Sequence, residues 1–124
     1  MTSYLTTEDL LVLAAELGGL RVRDLGLLDS AAHRPAATVF GDDAYRDVNT
    51  KAAVLMESIA RHHPLVAGNK RLAWVAVVVF YGINDLALRA PQDPAYELVT
   101  GVAEGRLPYR EVAAQLADWV TAVP

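Results

Sequence analysis

The chain of 124 residues predicts an all-α protein, a compact bundle of about six helices in one domain, 1–124, with a central apolar helix and a short flap. Three observations predict it. Ala, Leu and Val dominate a chain that is 53% hydrophobic, a composition suited to packed helices. Apolar residues recur at helical spacing between Gly and Pro stops. The run Leu72 to Tyr81 contains no charged side chain and is apolar on every side, as in a helix enclosed by others.

The elements follow in order. Thr6 or Thr7 caps a first helix, with Glu8 and Asp9 in its first turn and Leu10, Leu11, Ala14 and Leu17 as its stripe, up to Gly18-Gly19. Residues 22–32 read as a second short helix, ended before Pro35. Residues 33–43 hold Pro35, Gly41 and the β-type pair Val39-Phe40 and lack a helical period, so they form a loop or extended flap. A third helix runs from about 44 to His62, with Ala52, Leu55, Met56 and Ile59 inward and Lys51, Glu57 and Arg61 toward water. Pro64 stops it. Residues 63–68 turn the chain, and a fourth helix runs from Gly68 or Asn69 to Gly82. Asp93-Pro94 reads as N-cap and first residue of a fifth helix ending at Gly105. Pro108 opens the last, with Val112, Leu116, Trp119 and Val120 inward.

Composition narrows the function. The chain has no cysteine, which excludes disulfides, thiol chemistry and zinc-thiolate sites. A net charge of −4 argues against a direct nucleic-acid binder. The apolar run is well short of the roughly 20 residues that span a bilayer, and the first residues lack the basic and apolar regions of a signal peptide. These features predict a soluble cytoplasmic protein without a membrane or nucleic-acid partner.

The chemistry concentrates in His63-Pro64-Leu65-Val66-Ala67-Gly68-Asn69-Lys70-Arg71. Gly68 to Arg71 fall at the start of the apolar helix, where free N–H groups and the helix dipole attract anions. Gly68 lets the backbone approach a ligand, Asn69 offers an amide, and Lys70 and Arg71 add charge that Arg can deliver to two phosphate oxygens. His63 is placed to take a proton from a hydroxyl. Each residue alone has a plainer reading: a turn, a solvated face, a loop histidine. Two cations at a helix start are unfavourable toward the dipole unless an anion is to be bound.

This segment resembles the signature of the Fic/Doc family, His-x-Phe-x-(Asp or Glu)-Gly-Asn-x-Arg, and Lys70 points to the Doc branch. Gly41-Asp42-Asp43-Ala44-Tyr45, Lys51-Ala52-Ala53 and the Asn84 turn extend the likeness over about residues 35–90. The resemblance implies a small helical toxin of a type II toxin–antitoxin pair, a kinase that moves the γ-phosphoryl group of ATP to a threonine of elongation factor Tu and stops translation. It makes His63 the catalytic base and Gly68, Asn69, Lys70 and Arg71 the phosphate pocket, with ATP and Mg²⁺ required. It also implies a cognate antitoxin whose acidic or amphipathic tail folds into a groove of the toxin near the last helices.

Two positions depart from the pattern. Leu65 replaces Phe, one apolar anchor for another. Ala67 stands where the family places the acid that holds Mg²⁺, and Ala offers no oxygen, so Mg²⁺–ATP binding and transfer should be weak. Ala67 fits either a natural degenerate member or deliberate removal of the acid from a lethal toxin, and the intact Lys70 and Arg71 favour the second. The alternatives are a non-catalytic nucleotide- or antitoxin-binding module and an adenylyltransferase. Thr100-Gly101-Val102-Ala103-Glu104-Gly105 matches a self-inhibitory pattern of some Fic proteins, although a helix end capped by Gly105 is the simpler reading. Arg34, Asp42 and Asp43 in the flap can dock a target or stay solvated, and Trp74 and Trp119 are expected in the core.

Overall fold

The computed structural model describes residues 1–124 and contains six helices: α1 Thr7–Glu16, α2 Leu25–His33, α3 Val48–His62, α4 Asn69–Gly82, α5 Gln92–Ala103 and α6 Tyr109–Trp119. A 3-10 turn, Arg34–Ala36, follows α2. Two antiparallel ribbons complete the chain: β1 Thr38–Val39 with β2 Asp42–Asp43, and β3 Leu86–Leu88 with β4 Val120–Ala122. The helical bundle with a flap is the predicted class.

Local chemistry sets the helix ends. Thr6 and Asp9 exchange side chain-to-backbone bonds of 3.1 and 2.8 Å, a capping box that starts α1. The second helix begins later than predicted, because Asp24 caps it through Leu27 N–H and residues 21–24 are used elsewhere. The third helix begins at Val48 rather than near 44. Asp47 accepts from Thr50 N–H and Oγ at 2.8 Å each, while Ala44 N–H returns to Ala37 O and closes the flap. Pro91, not Asp93, precedes α5, since Ala95 N–H bonds Pro91 O at 3.0 Å and leaves Asp93 in the first turn. The C-terminus of α5 is the expected glycine stop: Gly105, at φ +76, gives its N–H to Val102 O while Arg106 N–H reaches Gly101 O. The last helix ends at Trp119, and Val120 leaves it to pair with Leu88 in a ribbon.

The core is built around α3, which packs against α2, α4, α5 and α6. Eight of its apolar or small residues, Ala52 to Met56 and Ser58 to Ala60, are buried. Lys51, predicted to face water, is 1% exposed. Its ammonium reaches Pro35 O at 3.2 Å and Asp43 Oδ2 at 3.1 Å, over the Tyr4 ring. Burial works against this charge, but the Tyr4 phenol and the Asp43 carboxylate outweigh it and raise the pKa. The fourth helix buries Leu72, Ala73, Ala76, Val77, Phe80 and Tyr81. It is not enclosed on every side: Trp74 and Val75 are half-buried and Val78 is exposed, because α5 crosses it only partly. The Tyr81 hydroxyl donates to Asn49 Oδ1 at 2.7 Å, and burial, with Asp47 nearby, pushes its pKa up.

Candidate functional site

Helix α3 ends where Pro64 cannot follow it. His63 takes a left-handed conformation, φ 55 and ψ 61, which swings the chain sharply away from the helix. The carbonyls left free at this end are capped by a residue the sequence did not single out. Arg23 donates through Nε to His63 O at 2.8 Å and through its guanidinium to His62 O at 3.2 Å. The segment around Arg23 then runs beside the signature loop. Arg23 and Asp24 N–H both reach Pro64 O, Val66 N–H reaches Arg21 O, and Val22 bridges Leu65. Residues 21–24 thus brace the loop, which is why α2 starts late; no sequence period marks an isolated bridge of this kind.

Asn69 clasps the loop from inside. Its Oδ1 accepts from Leu65 N–H at 2.9 Å, and its Nδ2 donates to Leu65 O at 3.1 Å and lies 3.3 Å from His63 Nδ1. The amide predicted to meet a phosphate is therefore committed to the protein. Gly68, at φ +83, is the N-cap of α4. A Cβ there would lie 2.7 Å from Leu20 Cδ1, so the glycine serves close packing against Leu20 as well as the turn. Ala67 and Val66 are exposed at the rim.

Lys70 and Arg71 turn toward a cleft of about 540 Å³ between α4 and α5. Lys70 Nζ lies 5.3 Å from the Tyr96 ring centroid, and Arg71 donates to Leu17 O at 3.2 Å, capping the end of α1. Trp74, Val75, Ala95 and Val99 form the apolar wall, so Trp74, half-buried and packed against the core as expected, also lines the cleft. His63 is not part of this lining. The structure brings His63 and Asn69 together at one end of the loop and Lys70 and Arg71 together in the cleft, and no hydrogen bond joins the two pairs.

No group of three His, Asp or Glu side chains is arranged to hold a metal, and Ala67 offers no side-chain oxygen at the loop. Arg34 is a structural hub rather than a solvated docking residue. It bonds Glu57 Oε1 at 2.9 Å, Ser58 Oγ at 3.1 Å and Tyr45 OH at 3.2 Å, and packs against the Tyr45 and Tyr109 rings. Burial opposes its charge, but Tyr45 and Glu57 more than compensate and raise its pKa. Glu104 pairs with Arg106 at 2.9 Å on the surface, at the end of α5.

The Fic/DOC family model matches residues 4–81, and the chain belongs to that family. The match reaches further toward the N-terminus than the 35–90 expected, in keeping with the bracing role of residues 20–24. Among its relatives, Toxin Doc of Mycolicibacterium smegmatis is 47% identical over 126 aligned positions, which cover 98% of this chain and 97% of the relative.

Proposed function

We propose that the chain is a Doc-like toxin of a type II toxin–antitoxin pair whose reaction is transfer of the ATP γ-phosphoryl group to a protein threonine. Elongation factor Tu is the target the family resemblance offers, and arrest of translation in the cytoplasm the consequence. The observation that carries this reading is the clasped loop: a left-handed histidine and the N-terminus of α4 held in fixed relation by Asn69 and Arg23. Such a loop offers a proton acceptor and an anion-attracting helix end within a few residues. In the transfer, the threonine oxygen bonds to the γ-phosphorus as the bond to ADP breaks. ADP leaves with the electron pair, and the hydroxyl proton passes to His63. Lys70 and Arg71 supply positive charge once they leave Tyr96 and Leu17 O.

Ala67 offers no side-chain oxygen where the family resemblance places the Mg²⁺ ligand, and transfer is expected to be slow or absent. Expression of Ala67→Asp should arrest growth and give Mg²⁺-dependent labelling of a protein from γ-labelled ATP, whereas the unaltered chain should do neither or do so weakly. Transfer of label from the α position would instead make it an adenylyltransferase. A silent Ala67→Asp chain would favour the second reading, a non-catalytic module that binds nucleotide or antitoxin. The contacts of the exposed Lys70 and Arg71 with the Tyr96 ring and Leu17 O favour that alternative. The cleft between α4 and α5, apolar with two cations at its mouth, suits the acidic, amphipathic tail of a cognate antitoxin. Trp74→Ala should weaken that complex in a titration with the antitoxin. No helix is long and apolar enough to cross a membrane.

A further inference from the structure

We propose that Asn69 is a positioning residue that holds the neutral His63 ring in its Nε2–H tautomer, a resting state with no free basic nitrogen. The orientation of the Asn69 amide is fixed by its partners. Leu65 N–H can only donate, so the atom 2.9 Å from it is the amide oxygen, and the atom facing Leu65 O at 3.1 Å is the nitrogen. That NH₂ group spends one hydrogen on Leu65 O. Its second points at His63 Nδ1, 3.3 Å away. An amide NH₂ has no lone pair to offer a ring N–H, so Nδ1 must be the acceptor, and a neutral imidazole then carries its hydrogen on Nε2. Asn69 is only 7% exposed and is tied to Leu65 through both amide atoms, so its NH₂ cannot turn away without breaking those bonds, whereas Arg23 fixes only the His63 backbone and the exposed ring is held by the Asn69 contact alone.

In this state neither nitrogen can take a proton from a hydroxyl: the Nδ1 lone pair is occupied and Nε2 is already protonated. For His63 to act as a base at Nε2, the ring hydrogen must first move to Nδ1, and the contact with Asn69 must open. At 3.3 Å that contact is at the long end for a hydrogen bond, so its release disfavours the active tautomer by roughly two- to tenfold, a latch and not a block. The consequence for catalysis rests on the reading of His63 as the base; the tautomer itself does not.

The test is a long-range nitrogen–proton correlation spectrum of the uniformly ¹⁵N-labelled chain at a pH where its imidazoles are neutral. His63 should show an unprotonated Nδ1 and a protonated Nε2, with a wider separation than the exposed His62 ring beside it. A protonated Nδ1, or a His63 pattern equal to that of His62, would overturn the proposal. Asn69→Asp replaces the donor with an acceptor and should move the His63 hydrogen to Nδ1. An unchanged pattern in the folded variant would also overturn it. Should that variant not fold, the wild-type spectrum decides alone. None of these readings uses the transfer assay, so a failed kinase reading and a failed tautomer assignment are distinguishable.

Discussion

The signature loop and the flap both turn on a bulky residue in the left-handed region, His63 at φ 55 and Phe40 at φ 52, yet they are held in opposite ways. Around His63 nearly every polar group has a partner: Arg23 on the carbonyls, Asn69 on Leu65, and residues 21–24 along the edge. Around Phe40 only the base is tied, by Ala44 N–H to Ala37 O and by the buried Lys51, while the Phe40 ring is fully exposed. Phe40-Gly41 is a two-residue hairpin turn with φ positive at both positions, the geometry that favours Asn-Gly. The difference teaches that a left-handed residue persists either because its surroundings over-determine it or because the strain at an open tip is small enough to carry.

The comparison breaks most visibly at Asn69. Asn69→Ala leaves Leu65 N–H and C=O buried without partners and should cost about 2–4 kcal/mol in a urea titration. A loss within 0.5 kcal/mol would mean that the loop holds without its clasp, by about the margin seen for surface changes. Gly68→Ala adds a Cβ against Leu20 at a positive φ and should cost about 2 kcal/mol. In a Leu20→Ala background the steric part should vanish and the backbone part remain, which separates the two causes.

At the flap the effects are smaller. Lys51→Met removes the buried tether; global stability should change by about 1 kcal/mol, whereas the Ala44 amide should exchange roughly tenfold faster. Phe40→Asn supplies the residue the turn prefers and should stabilise by about 0.5–1 kcal/mol in thermal unfolding. The equivalent change at His63 should bring no such gain, because that turn is set by its neighbours.

The mildest effect concerns the helix that links the two regions. At Asp47 burial works to raise the pKa, but bonds from Thr50 and Asn49 prevail and hold it below the usual carboxylate value of 3.8. The depressed folded value means that Asp47 adds stability above the unfolded value and loses it as the pH falls through the folded one. Asp47→Asn keeps a capping oxygen, so the variant should be slightly less stable at pH 7 and the gap should close as the pH falls through the depressed folded-state value.

Much of the site was legible as sequence because its parts are local. Pro64 must stop a helix, Gly68 permits a turn, and nine consecutive residues carry the family signature. The roles within it were less legible. Asn69 reads as a phosphate donor until Leu65 takes its amide, and Lys51 reads as solvated until Pro35 and Asp43 surround it. Arg23 carries no local signal at all, since its partners lie 39 and 40 residues away.

By itself the sequence determined the helical class, the breaks between helices, the flap and the position of the loop, because propensity, period and proline or glycine stops act over a few residues. Only the tertiary structure decided which helix is most enclosed, which side chains brace the loop and where the two cations rest. Those outcomes depend on bonds and packing between segments distant in the chain, whose geometry no local pattern encodes.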